Sequence, residues 1–323
     1  MACVALLSNP RSTGNKSVLP RIREFVAQHP NIFHYEVGDI SEVPDALAMI
    51  ARVKPAVLVI NGGGGTVQAS LTEIYNGHHF KGAVPPLAVL PNGKTNLIAL
   101  DLGAGANPVE ALSNILKIVE TGVDPHVVAR QLIALSDGIA ARPVFGMFLG
   151  GAGLAEAILF CRNKIYPLGL PNWVSHLIAT IVVIASVLVG AGARWNPVRP
   201  SPMRVSLQRD GVPVEGSFLV LMVTTLERLL LNFATPFSDR AGPLKLMAIE
   251  QRRATVLKAL VSALAGRLGS ARFNGLHLRR GDEIRIEGKR ASVILDGELY
   301  EAGEGHSIVL TPTAPVSFLN LAA

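Results

Sequence analysis

Short, wholly apolar runs alternate with polar turns and amphipathic stretches through the first third of the chain. Val4 to Leu7 reads as a buried strand, Ser8 to Lys16 as a polar turn, and Val18 to Gln28 as an amphipathic helix. The pattern repeats as Val57 to Ile60, a glycine turn and a helix from about Thr66 to Tyr75. It repeats again as Leu87 to Leu90, a turn at Pro91 to Thr95 and a further helix. Strands of this kind separated by helices predict a parallel α/β sheet, with ligand at the carboxyl ends of the strands. The turns at 8–16, 61–66 and 91–96 would then share one edge.

After about residue 125 the texture changes to spaced strand-like segments: Arg130 to Leu135, Met203 to Gln208, Ser217 to Thr224, Leu244 to Ile249, His277 to Leu278, Glu283 to Glu287 and Ser292 to Leu295. Asp210-Gly211, Gly281-Asp282 and Asp296-Gly297 punctuate them, which predicts a mostly antiparallel β domain. Helices are expected at about 151–161, 174–189 and 251–266. A chain of 323 residues exceeds one typical core, so two domains are expected, 1–125 and 126–306.

Composition narrows the partners. With 49% apolar and only 17% charged residues, the chain is greasy without repeated long spans, a balance that fits a peripheral membrane enzyme. The formal charge of +6 favours an anionic partner, phosphates or an acidic lipid surface. Aromatics are 5% and basic blocks interleaved with them are missing, so nucleic acid is excluded as a partner. Cys3 and Cys161 form neither metal spacing nor a disulfide framework, which suits a reducing cytoplasm. Residues 1–8 read as a first strand rather than a signal peptide, giving a cytoplasmic protein on the inner face of a membrane. Ile165 to Ala193 holds no Asp, Glu, Lys or Arg. Its centre, Val174 to Val189, makes a helix of roughly 24 Å against a hydrocarbon core of ~30 Å. A buried core helix, a helix lying on a leaflet and a span all remain open for it.

The glycines Gly62 to Gly65 lie between a strand and a helix. Without a Cβ, their backbone N–H groups can approach a polyphosphate, and the helix start adds donors and a favourable dipole. Asp296-Gly297, taken locally, is a hairpin turn between two strands.

Four motifs in order resemble the catalytic family of the diacylglycerol kinases, which includes bacterial lipid kinases, sphingosine kinases and ceramide kinases. Ser8-Asn9-Pro10-Arg11-Ser12-Thr13-Gly14-Asn15 is similar to the family's Asn-Pro-x-Ser-Gly opening. Asn61-Gly62-Gly63-Gly64-Gly65-Thr66-Val67 matches Gly-Gly-Asp-Gly-Thr-Val except at Gly64. Pro91-Asn92-Gly93-Lys94-Thr95-Asn96 looks like its Pro-x-Gly-Thr-x-Asn element, and Asp296-Gly297-Glu298 its Asp-Gly-Glu. The resemblance implies an α/β N-terminal nucleotide-binding domain, then a mostly antiparallel, β-sandwich-like C-terminal lipid domain, with ATP and lipid meeting in the cleft. It also implies that the tail, about 307–323, returns to the first domain.

What it implies for single residues follows. Asn9, Arg11, Ser12 and Thr13 would bind phosphate or ribose oxygens of ATP. Gly62, Gly63, Gly64, Gly65 and Thr66, with Gly93, Lys94, Thr95 and Asn96, would cradle the triphosphate. Asp296 would accept the proton of the lipid hydroxyl, and Glu298 would orient it or help hold Mg²⁺.

Three positions depart from the family pattern. Gly64 stands where the family has aspartate, Leu97 where an acid is common, and Arg240-Ala241 where an accessory metal site has acids. Either Asp296 supplies the chemistry, or Glu73 and Asp101 substitute for the lost acid, or the protein binds without turnover. Direct substitution by Glu73, about two turns into its helix, is disfavoured. His78-His79 reads as a solvated turn. The expected function is an ATP- and Mg²⁺-dependent kinase of a neutral two-chain lipid, diacylglycerol or ceramide/sphingoid in type. A lipid- or nucleotide-binding pseudokinase is the alternative, and a soluble NAD kinase a third reading.

Overall fold

The computed structural model describes residues 3–93, 95–165, 202–208, 213–228, 242–288 and 292–322. Lys94, the apolar segment 174–189 and the turn at 210–211 lie outside the described residues, as do Arg240 and Ala241. The chain divides into two compact units. The first comprises the residues up to Leu132, Val144–Gly146 and the segment from Ala314 on; the second comprises Ile133–Pro143 and Met147–Thr313.

In the first unit, β1 (Val4–Ser8), β2 (Ile32–Glu36), β3 (Val57–Asn61) and β4 (Leu87–Val89) run parallel in the order β2-β1-β3-β4. β5 (Val127–Arg130) pairs antiparallel with the terminal strand Val316–Leu319, which closes the sheet onto β4 through Phe318 beside Leu87. Every residue of β1, β3 and β4 is buried, the mark of a sheet covered on both faces. The cover comes from α1 (Asn15–Ala27), α2 (Val43–Val53), α3 (Gly64–Asn76) and α5 (Pro108–Thr121), with α1 packing on α5 and α2 on α3. The short α4 (Leu97–Asp101) follows β4. Helix α5 shows local and tertiary signals agreeing: Asn107 caps it by accepting from the Val109 N–H at 3.1 Å, Pro108 opens it, and Leu112, Ile115 and Ile118 face the core.

Several boundaries differ from expectation, two of them for a clear physical reason. Helix α1 begins at Asn15, three residues before the predicted start, because the Asn15 side chain is buried and bonded to the sheet edge. The predicted strand Arg130 to Leu135 is two strands, β5 and β6 (Ile133–Ser136), which pair in different sheets.

The second unit is a curled antiparallel sheet. Its strands are β6, β8 (Phe148–Gly151), β9 (Pro202–Leu207), β10 (Val214–Thr224), β11 (Leu244–Glu250), β12 (Leu276–Gly281), β13 (Ile284–Glu287), β14 (Ser292–Leu295), β15 (Glu298–Glu301) and β16 (Ile308–Pro312); β7 (Val144–Gly146) belongs to the first unit. Strand β10 joins its two parts. Val214 to Ser217 pair with β9, the register shifts between Phe218 and Val220, and Leu221 to Thr224 pair with β8 and β11. Helix α6 (Gly153–Phe160) packs on β10, and α7 (Arg253–Leu264) on β11. Among the described residues no helix is long and apolar enough to cross a membrane.

Candidate functional site

The three polar turns of the first unit converge at the carboxyl ends of β1, β3 and β4, where four asparagines tie them together. Asn61 is 0% exposed. Its Nδ2 donates to Ser8 Oγ at 2.9 Å, and its Oδ1 accepts from Asn92 Nδ2 at 2.9 Å. Asn92 Nδ2 also donates to Asn15 Oδ1. Asn15 Nδ2 in turn donates to the carbonyls of Asn9 (2.7 Å) and Asn61 (3.2 Å). Asn9 then reaches the third strand's helix: its Nδ2 donates to Thr66 Oγ1 at 2.9 Å, while its Oδ1 accepts from the Arg11 N–H at 2.9 Å. A primary amide both donates and accepts without charge, so a buried network can be satisfied with no ion desolvated.

Above this lattice the backbones meet closely. Ser12 Oγ accepts from the Gly63 N–H at 3.0 Å and lies 3.4 Å from Thr66 Oγ1. Asn96, in the left-handed region at φ 53°, accepts from the Gly93 N–H at 2.6 Å. A Cβ at Gly62 would sit 2.6 Å from the Thr66 side chain, and one at Gly14 would sit 2.4 Å from the Asn92 carbonyl oxygen. Glycine is required at both by close approach. Helix α3 starts at Gly64, with extended Gly63 before it and no side-chain cap among the described residues. A 13-residue helix whose first turn is glycine and uncapped presents donors and a positive dipole end.

Asn9, Ser12, Gly62, Gly63, Gly64, Gly65, Thr66, Gly93 and Asn96 are thus brought together. Gly64 itself is exposed at the first helical position. Arg11 turns instead to Asp39, 2.9 Å away, in a solvent-exposed pair. Thr13 and Thr95 are exposed. The two acids expected as possible substitutes are engaged elsewhere: Glu73 bonds His79 at 2.6 Å, and buried Asp101 pairs with Arg130 at 3.3 Å. His79 is therefore half-buried on a carboxylate rather than part of a solvated turn, while His78 is exposed. Among the described residues no three His, Cys, Asp or Glu side chains gather as metal ligands.

Sequence reasoning missed the lattice members Ser8, Asn15, Asn61 and Asn92, and His34 behind them. The available signal was a polar residue directly ending each buried apolar run. His34 Nε2 meets Ser8 Oγ at 2.8 Å, and burial pushes its pKa down against the raising effect of Glu36.

In the second unit, Asp296 and Gly297 form the two-residue turn joining β14 and β15, with φ of 46° and 102°. Both central residues are left-handed, as a type I′ hairpin requires, so the local Asp-Gly reading holds. The carboxylate does more than turn the chain. Its Oδ2 accepts from the Met147 N–H at 2.8 Å and its Oδ1 from the Phe148 N–H at 3.0 Å. Burial pushes its pKa up to about 7, against the lowering effect of those two donors. Glu298 faces a cation, with Arg162 Nη1 3.8 Å from its carboxylate and donating to the Gly297 carbonyl at 2.9 Å. Nearby, Thr224 Oγ1 donates to the Met147 carbonyl at 2.8 Å, and the buried Thr225 hydroxyl has no partner among the described residues. Buried Lys245 pins the same segment, donating to the Leu226 carbonyl at 2.9 Å and to Glu227 at 2.8 Å. A depression of about 210 Å³ on the first unit is lined by Glu73, Gln68 and Thr72 on α3, and one of the same volume on the second by Glu215, Ser217 and Arg252. Phosphate recognition by backbone N–H groups needs no enclosed cavity.

Comparison with known proteins agrees with the motifs. Residues 3–127 match the family model described as the diacylglycerol kinase catalytic domain. A solved structure named "putative diacylglycerol kinase from Bacillus anthracis str. Sterne" is 18% identical, with a TM-score of 0.64 over 97% of this chain and 94% of that one. Another, named among the diacylglycerol kinases of the same organism, is 17% identical with a TM-score of 0.56, over 96% and 93%. At such identities the likeness shows the shared two-part fold. No curated protein sequence matches the chain.

Proposed function

We propose, from a first domain that matches the diacylglycerol kinase catalytic family, that this protein is an ATP-dependent kinase of a neutral two-chain lipid alcohol, of diacylglycerol or ceramide/sphingoid type. The observation that carries the reading is the convergence of three turns on the uncapped N-terminus of α3. The residues there fit a nucleoside triphosphate. They offer backbone N–H groups and the hydroxyls of Ser12 and Thr66, they leave room at glycines, and none of the converging residues is acidic. Bound ATP supplies the phosphoryl group. The N–H groups at the start of α3 and in the Gly93 turn, beyond those already taken by Ser12 and Asn96, would hold its phosphates.

Asp296 is proposed as the base that takes the proton from the attacking lipid hydroxyl. A carboxylate whose pKa lies near 7 is half-ionised at neutral pH, and as an acceptor it is stronger than an ordinary aspartate. For Glu298, the neighbouring Arg162 favours a positioning role at the turn over metal binding. Among the described residues no three His, Cys, Asp or Glu side chains gather, so a Mg²⁺ entering with ATP would be held chiefly by the phosphates. A second reading, a pseudokinase that binds lipid or nucleotide, is favoured by the missing acid at Gly64 and by the engagement of Glu73 and Asp101 elsewhere.

Labelled ATP presented with diacylglycerol, ceramide, a sphingoid base or undecaprenol decides between them. Formation of one phosphorylated lipid is expected; none with any acceptor sinks the kinase reading. Full activity in Asp296→Ala sinks the proposed base. Phosphorylation of NAD in detergent-free buffer would move the assignment to a soluble nucleotide kinase.

A further inference from the structure

Helix α7 carries its apolar residues on the wrong face for a helix in water. Its inner side, with Thr255 and Ala259 buried and Val256 half-buried, packs against β11 and the cluster of Met222, Met247 and Ile249. The solvent side should then be polar. Instead Leu257, Val261 and Leu264, at i, i+4 and i+7, form one stripe there, 52%, 66% and 81% exposed. Three large aliphatic side chains over a helix of roughly 18 Å are more than a scattered exposed leucine.

The charge around the stripe identifies what it meets. From Gln251 to Gly281 the chain has seven Lys and Arg residues and no Asp or Glu. The whole chain has 30 Lys and Arg against 24 Asp and Glu, so the other 292 residues hold 23 against 24. The net positive charge of the protein therefore resides in this one segment. On the helical wheel Arg253 and Lys258 flank the stripe, both exposed, and exposed Arg267 follows its end. Aliphatic side chains in a row with cations beside them match the interface of an anionic bilayer: the aliphatics enter the acyl boundary and the cations meet lipid phosphates.

We propose that the exposed face of α7 is the surface by which this protein docks on an anionic membrane. The proposal rests on the lipid kinase reading only for its biological sense, since the physical argument uses exposure and charge.

The test is co-sedimentation of the purified full chain with phosphatidylcholine vesicles, with and without phosphatidylglycerol, in the absence of ATP. Wild type is expected to bind the anionic vesicles in a salt-sensitive way. Combined Leu257→Ser, Val261→Ser and Leu264→Ser should weaken that binding by about tenfold or more. Arg253→Glu with Lys258→Glu should weaken it on anionic vesicles and leave neutral vesicles unaffected. These positions are exposed, so an unchanged unfolding midpoint checks the fold. Equal binding by wild type and both variants overturns the proposal. So does self-association of wild type without vesicles that the triple serine variant abolishes, which would give the stripe to a second copy of the chain. Assay in detergent micelles separates the two conclusions. Absence of any product there, with vesicle binding still dependent on α7, removes the kinase reading and leaves the docking surface standing.

Discussion

Replacing Asn61 by alanine tests whether the asparagine lattice holds the three polar turns in place. The substitution removes one donated bond, to Ser8, and one accepted bond, from Asn92, both at 2.9 Å in a fully buried position. Neither partner is wholly stranded, because Ser8 keeps His34 and Asn92 keeps Asn15. The loss is therefore counted as two net hydrogen bonds, about 0.5–1.5 kcal/mol each. Adding the small void left by the amide gives about 2–4 kcal/mol in all. Against a domain stability of about 5–15 kcal/mol, the variant should fold and be measurably weaker. Urea unfolding should be followed by hydrogen exchange at Val57 to Ile60, with circular dichroism alongside. Combining Asn61→Ala with Asn92→Ala should cost about 1 kcal/mol less than the sum, since the two share a bond. A loss under about 0.5 kcal/mol in the single variant, or strict additivity in the pair, would refute a cooperative lattice.

Four further outcomes are expected. Turnover should rise with pH through a limb near the Asp296 pKa of about 7, and Asp296→Asn should abolish that limb together with most of the rate; a pH profile unchanged by the substitution rejects Asp296 as base. The same shift acts on stability. A carboxyl raised from an unfolded value of about 4 keeps its proton longer when folded, so its contribution is full below about 4 and is lost as pH rises through about 7, a fall Asp296→Asn should remove from urea midpoints. Gly62→Ala forces a Cβ onto Thr66, and calorimetry should show ATP affinity falling by about tenfold or more; unchanged affinity would place the nucleotide elsewhere. His34 is lowered by burial, so its contribution is present above the ordinary histidine value of about 6.5 and is lost as pH falls below it, a dependence His34→Gln should flatten in hydrogen exchange of β1.

How much of this was legible in the sequence depends on how local each feature is. Strands β1, β3 and β4 were readable because a strand covered on both faces is apolar throughout, and the Asp296-Gly297 turn because a type I′ hairpin demands those residues. The start of α3 was not readable. Gly64 and Gly65 are poor helix formers, and the fold uses them as the first turn anyway, with Gly63 held by Ser12. Nor was the break between β5 and β6. The residues from Arg130 to Leu135 make one plausible strand, and only pairing with the chain's tail, Val316–Leu319 for β5 and β16 for β6, decides where it divides. The lattice was hidden for a different reason: an asparagine after a strand is an ordinary turn residue, and nothing in its spacing shows that four of them meet.

That lattice also changes what the missing acid at position 64 means. An aspartate at the first turn of α3 would itself benefit from the dipole, and would compete with a phosphate for the same N–H groups. With glycine there, and with the neighbouring turns held by neutral amides rather than by ion pairs, the site has no fixed negative charge of its own among its converging side chains. A polyphosphate bound there would meet no repulsion from those side chains, while any reaction step that needs a carboxylate would draw it from another part of the chain. The described acids of the first unit that could answer, Glu73 and Asp101, are held by His79 and Arg130. Asp296 differs from both in its partners, with neutral N–H donors on its two oxygens against a histidine on Glu73 and a guanidinium on Asp101. Burial pushes its pKa up to about 7, so at neutral pH it can exchange a proton with no charged partner to release.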